Sequence, residues 1–118
     1  MPFILVSAKV FLVDLFQALA EPRRRQIVSL VWREEREAGQ IHRAVGGVTF
    51  GAVSQHLKIL REAGAVRMRA DGRRRLYRAD RVAVRRMVAR LERMWGTGLD
   101  GLRRLAEGEE AESRGRRG

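Results

Sequence analysis

Apolar positions fall into distinct stretches along the chain, each with its own period. Residues 3 to 20 (FILVSAKVFLVDLFQALA) are apolar nearly all round, and a helix of that kind is buried on more than one side. In so small a domain, such burial calls for a partner subunit. Glu21-Pro22 breaks the run, and Pro22 suits the first position of a new helix carrying Ile27, Leu30 and Val31, because its missing N–H would find no partner there anyway. That helix is predicted over residues 22–36. Gln40 to Val45 reads as a brief helix and Gly46-Gly47 as the turn that follows. Thr49 then caps a helix in which Phe50, Val53, Leu57 and Leu60 recur at helical spacing, until Gly64 ends it.

The period next changes. Residues 65–78 (AVRMRADGRRRLYR) read as two short strands around an Asp71-Gly72 turn. A three-residue loop is expected, since it pairs Met68 with Leu76 and keeps apolar groups together; the tip is then Arg73, Arg74 and Arg75. Asp80 can cap a last long helix in which Val84, Val88, Leu91, Trp95, Leu102 and Leu105 follow steps of four and three. Gly96 and Gly98 weaken this seam as an isolated coiled coil. It is therefore expected to pack with the apolar first helix, and Leu5, Leu12, Phe16, Val88, Leu91, Trp95, Leu102 and Leu105 are the candidate dimer interface. The polar segment GEEAESRGRRG at 108–118 reads as a disordered tail beyond a single domain of residues 1–107.

The order of elements predicts a mainly α fold with a small β-hairpin, a winged helix-turn-helix dimerising through its first and last helices. Charge sharpens that picture. The 118-residue chain carries a net charge of +11, and residues 21–93 hold 19 Arg/Lys against 8 Asp/Glu, which is the whole excess. A basic block in one part of a folded domain attracts a polyanion, and with nucleic acid it neutralises phosphates and releases counterions. Almost every positive charge is Arg, whose fork suits phosphates and base edges. There is no cysteine, which removes disulfides, thiolate metal sites and thiol catalysis and fits a reducing cytoplasm. Lys9 and Asp14 interrupt the apolar start, so no membrane span is expected.

Opposite its apolar stripe, the predicted helix over 49–63 shows Gly51, Ser54, Gln55 and Lys58, with His56 at the edge. Such a face can approach the major groove, where donors and acceptors distinguish base pairs. Gln55 suits adenine, while Thr49, Ser54 and Lys58 suit phosphates. The arginine tip suits the narrow minor groove, although charge on an edge strand also guards against aggregation. Tyr77 divides between strand packing and a phosphate contact. An enzyme finds little support, having no phosphate loop and no paired carboxylates in an apolar setting. Ser54 and His56 point in different directions on a helix and cannot form a nucleophile–base pair. A nucleic-acid-binding or interaction module of antitoxin type, without operator specificity, is the alternative reading. Trp32 and Trp95 divide between core packing and the lining of a small-molecule pocket.

The segments LAEPRRRQIVSLV, AVSQHLKILREAGAV and DGRRRLYR resemble the signatures of the arsenical-repressor-like (ArsR) family of dimeric winged-helix regulators, over about residues 12–107. The resemblance places Arg24 and Arg25 on the family's paired arginines, which makes both candidates for DNA binding, and Ser54, His56 and Leu57 on its Ser-x-His-Leu recognition-helix motif. It implies operator binding, usually repression, and release by a metal or another inducer. Metal sensors of the family carry Cys pairs before the turn or His and carboxylate clusters on the last helix; here His42 and His56 stand alone, and two isolated histidines do not make a tetrahedral site. No metal and no cofactor is expected. The RMWGTGLDGLRRL segment resembles a metal-independent branch often encoded beside a ligand-binding protein, so the expected partners are duplex DNA, a second copy of the chain, and an unidentified small-molecule or protein effector.

Overall fold

The computed structural model describes the backbone of residues 12–117 and the side chains of residues 12–96 and 104–108. Leu5 lies outside the described residues, as does the side chain of Leu102. The chain divides into two compact units, the first ending at Met87 and the second beginning at Val88.

In the first unit, α1 covers residues 12–20 and turns its Leu15 and Ala18 into the core. Helix α2 (Pro22–Leu30) starts as its sequence requires: Pro22 stands at its first turn and the Glu21 carboxylate accepts from the Arg24 N–H at 2.9 Å. The helix stops six residues earlier than predicted. At Val31 the chain leaves the helical path, and the Val31 carbonyl accepts from Ala79 N–H at 3.0 Å. Residues 31–37 are thereby drawn toward the wing, and Arg36–Glu37 form a short strand β1 opposite Tyr77 and Leu76. Helix-forming residues yield here to tertiary pairing.

Helix α3 (Ala38–Val45) follows directly, with Gly39 inside its first turn rather than before it. The Gln40 side chain accepts from the Glu37 N–H at 2.9 Å, which holds β1 and α3 together. Gly46 and Gly47, at φ +64° and +67°, make the turn; a Cβ would strain both positions. Helix α4 (Phe50–Glu62) starts at Thr49, whose hydroxyl accepts from Ala52 N–H at 3.0 Å. It ends in a Schellman motif: Ala65 N–H donates to the Leu60 carbonyl at 2.8 Å and Gly64 N–H to that of Arg61 at 3.0 Å.

Strands β2 (Val66–Asp71) and β3 (Arg74–Ala79) form the hairpin, and the sheet order is β1-β3-β2, all antiparallel. Its register corrects the sequence expectation. Asp71 pairs with Arg74 and Met68 with Tyr77, so the loop has two residues, Gly72-Arg73. Gly72 has φ +62° while Arg73 does not enter the left-handed region, the pattern of a type II′ turn with glycine first. Met68 keeps an aromatic partner, and Leu76 is buried on the other face. Asp80 then caps helix α5 (Arg81–Arg117), its carboxylate accepting from Ala83 N–H at 3.1 Å.

The core of this unit joins Ile27, Val31, Ile41, Val53, Leu57 and Leu60, each no more than 1% exposed. The second unit is the remainder of α5. Its helical backbone continues to Arg117, through the 108–117 segment expected as a disordered tail. Val88, Trp95 and Leu105 of this unit are exposed by 42%, 51% and 64%, whereas Leu91 is half-buried. On α1, Phe16 is 38% exposed and Leu12 half-buried. Among the described residues no helix is long and apolar enough to cross a membrane.

Candidate nucleic-acid interface

The periodicity of α4 separates two faces. Val53, Leu57 and Leu60 are buried, and Gly51, Ser54, Gln55 and Lys58 are exposed on the other side. A Cβ at Gly51 would meet only the Thr49 hydroxyl, at 3.9 Å, so the missing side chain is not demanded by the packing of this chain. Thr49 has its oxygen engaged as a cap, yet its hydroxyl proton remains available to an external acceptor. His56 is half-buried, and its Nδ1 is buried without a hydrogen-bond partner among the described residues.

The turn before α4 is fastened on both sides. Arg23 Nη1 donates to the Gly46 carbonyl at 3.0 Å, and His42 Nε2 to that of Val48 at 2.8 Å. Since a carbonyl only accepts, Nε2 carries the proton. The His42 ring also meets Phe50 edge-on, with centroids 5.8 Å apart. His42 is thus a positioning group of the turn, and among the described residues no His, Cys, Asp and Glu cluster has the size to hold a metal ion.

Arg24 and Arg25 reach the end of α1. Arg24 Nε donates to the Ala18 carbonyl at 2.6 Å and Nη2 to that of Gln17 at 3.5 Å, while Arg25 Nη1 donates to Leu19 and Ala20 carbonyls at 3.0 and 2.8 Å. These are the last carbonyls of α1, which no helical N–H reaches. The crowding of three arginines at the start of α2, unfavourable toward that helix's own dipole, is thus answered by the negative end of α1 and by Gly46.

The wing is laced by acids to β1 and the residue before it. Glu35 accepts from Arg69 Nε and Nη2 at 2.6 and 3.0 Å, and Glu37 from Arg74 Nε at 2.6 Å; at the wing base Asp80 accepts from Arg67 Nε at 2.9 Å. The Arg69 hydrogen bond, with the Arg69 and Arg78 charges, holds the Glu35 carboxyl below its ordinary value despite some desolvation. The side chains of Arg73 and Arg75 are exposed and make no hydrogen bond or ion pair among the described residues, and Tyr77 is half-buried in β3 between Met68 and Arg36. Of the three tip arginines, then, two are unengaged and Arg74 is held. Reading the chain alone misses the contribution of Glu35 and Glu37. Their spacing of two, which in extended chain puts both on one side, is the signal that could have found it.

A polar-faced helix behind a two-glycine turn, followed by a basic hairpin, defines a winged helix-turn-helix. Comparison with known proteins agrees. Residues 21–67 match the model of the bacterial regulatory protein, arsR family. The chain is 36% identical over 94 residues to the HTH-type transcriptional regulator Rv2034 of Mycobacterium tuberculosis, covering 80% of this chain and 87% of that protein. Among solved structures it is similar to an ArsR-like transcriptional regulator from Rhodococcus sp. RHA1 (27% identity, TM-score 0.67, 89% of this chain and 95% of that one). It is also similar to the homodimeric winged helix-turn-helix DNA-binding domain of Mb0332 from Mycobacterium bovis (29% identity, TM-score 0.63, 75% and 82%). The chain belongs to the ArsR family and is a transcriptional regulator with a winged helix-turn-helix DNA-binding domain.

Proposed function

We propose that this regulator is a repressor that binds an inverted-repeat operator as a homodimer, without metal. The observation that carries the reading is the exposed face of α4: Gly51, Ser54, Gln55 and Lys58 form an acid-free surface on a helix whose other side is locked into the core. Gln55 reads a base edge, Ser54, Lys58 and Thr49 hold phosphates, and the absence of a side chain at Gly51 lets the backbone come close to the groove. Arg73 and Arg75 follow the adjacent minor groove, where the potential is most negative. Arg74 and Tyr77 hold the wing in shape, and Arg24 and Arg25 set the angle of α1 rather than touching DNA.

Dimerisation is supported by the homodimeric state of the Mb0332 domain and by the apolar side chains that α1 and α5 leave exposed, among them Phe16, Val88, Trp95 and Leu105. Two α4 helices related by a two-fold axis then require half-sites about one helical turn apart. Occupying a promoter excludes polymerase and represses it, a task for the cytoplasm where the chromosome lies. Selection from a random duplex pool tests the reading. An inverted repeat with half-site centres about 10 base pairs apart is expected; a pool that yields no consensus would instead favour a nucleic-acid-binding module of antitoxin type.

A further inference from the structure

We propose that the hollow at the carboxyl end of α2 binds a small aromatic carboxylate, and that this ligand alters DNA binding through β1; the second half rests on the operator-binding reading above. The hollow measures about 530 Å³ and is lined by Ser29, Leu30, Trp32, Arg33, Glu34 and Arg36, a volume within the range of small-molecule sites. None of these residues belongs to the exposed face of α4 or to the wing tip.

Its chemistry selects the ligand. Arg36 is half-buried, and its Nε is buried with no hydrogen-bond partner among the described residues; buried donors are ordinarily paired. A carboxylate in the hollow supplies the missing acceptor once the Arg36 side chain turns outward, and then fits the guanidinium fork with two parallel bonds. Arg33 adds a second positive charge, while Glu34, the only acid among the described lining residues, disfavours a dianion such as phosphate. Trp32 offers an aromatic wall, and the Arg85 guanidinium lies 5.8 Å from its ring centroid. A flat, apolar body carrying one carboxylate uses both features, with the Ser29 hydroxyl as an orienting group.

The same residue links the hollow to the wing. Arg36 stands opposite Tyr77 in the sheet, and its neighbours Glu35 and Glu37 hold Arg69 and Arg74. A ligand that draws the Arg36 guanidinium acts on the short strand that anchors two arginines of the wing. Differential interaction of this kind is what allows a ligand to bias a second site.

Calorimetric titration of the full chain with benzoate, 2-naphthoate and indole-3-acetate, in the absence of DNA, tests the site. At least one should bind with Kd below about 1 mM, and 2-naphthamide, which lacks the charge, should bind at least about tenfold more weakly than 2-naphthoate. Arg36→Gln and Trp32→Leu should each lose about tenfold, and Arg81→Gln should bind as the parent does. If Arg36→Gln does not fold, the acid-against-amide comparison on the unaltered chain decides. No saturation by any of the three acids, or equal binding of acid and amide, overturns the site whatever DNA does. Operator affinity measured by anisotropy should then change at least about threefold with ligand present. Binding of the acid with unchanged operator affinity overturns the coupling to β1 alone. A chain that binds the acid but no DNA in either state overturns the operator reading and the coupling, and leaves the site standing.

Discussion

Replacing Arg24 by alanine separates two roles that one residue is able to play. Their place on the family's paired arginines makes Arg24 and Arg25 candidates for DNA binding, whereas the structure directs the Arg24 guanidinium to Ala18 and Gln17 carbonyls at 2.6 and 3.5 Å. Only the shorter contact is a strong hydrogen bond. A charge-assisted bond contributes roughly 1.5–3 kcal/mol when well buried, and this half-buried one belongs at the lower end. Favourable interaction with the end of α1 adds about 0.3–1 kcal/mol. The expected cost of Arg24→Ala is therefore about 2–2.5 kcal/mol, and at roughly 4–8 °C per kcal/mol for a domain of this size the melting temperature should fall by about 8–20 °C. Arg24→Met retains the aliphatic stem and should lose nearly as much, showing that the head group matters and not packing alone. Circular dichroism melts give the stability. Anisotropy on duplex DNA, well below the melt, should show less than about a threefold loss of affinity and an unchanged salt slope. A variant that melts with the parent but binds DNA about tenfold more weakly, with the slope reduced by about one, would refute the reasoning and make Arg24 a phosphate contact.

The interface itself makes distinct demands. Gln55→Ala should cost about 1–3 kcal/mol at one base position and little on scrambled DNA, while the double change Arg73→Ala with Arg75→Ala should weaken all duplexes alike and lower the salt slope by about two; equal loss of specificity in both would end that division of labour. Gly51→Ala has room in this chain, its Cβ meeting Thr49 Oγ1 at 3.9 Å, so it should stabilise the fold by up to about 0.5–1 kcal/mol yet reduce DNA affinity about tenfold. Unchanged affinity would mean that α4 does not approach DNA at this point. Glu35 is held below its ordinary pKa of 4.5, chiefly by its hydrogen bond to Arg69; its contribution is therefore complete above about pH 4.5 and is lost as pH falls through the lower folded value. Glu35→Gln should flatten that part of the acid dependence of the melting temperature, and identical acid profiles for parent and variant would contradict the assignment.

Local chemistry made much of this fold legible. Pro22, Thr49, Gly64 and Asp80 each mark a helix end by a mechanism that acts within a few residues, and each stands where that mechanism needs it. The helical stripe of Val53, Leu57 and Leu60 likewise separated the core face of α4 from the candidate reading face. What escaped depends on distant partners. The stretch Trp32 to Glu37 is built of good helix formers, and only the pairing of Arg36 and Glu37 with Tyr77 and Leu76 makes a strand of its end. The wing register turned on which residues take the loop. A left-handed first position selects Gly72, which moves Asp71 into the ladder and shifts every pair by one. Arg24 and Arg25 were visible as a motif, but their carbonyl partners depend on how α1 meets α2.

The most direct test of the account is fluorescence anisotropy of the purified chain on the inverted repeat selected from the random duplex pool and on a scrambled duplex, across a salt series and with metal chelated. Affinity that favours the inverted repeat and falls steeply with salt, as neutralising about 6–10 phosphates requires, is the predicted result. Equal affinity for both duplexes, or a dependence on added metal, would contradict a sequence-specific, metal-independent regulator.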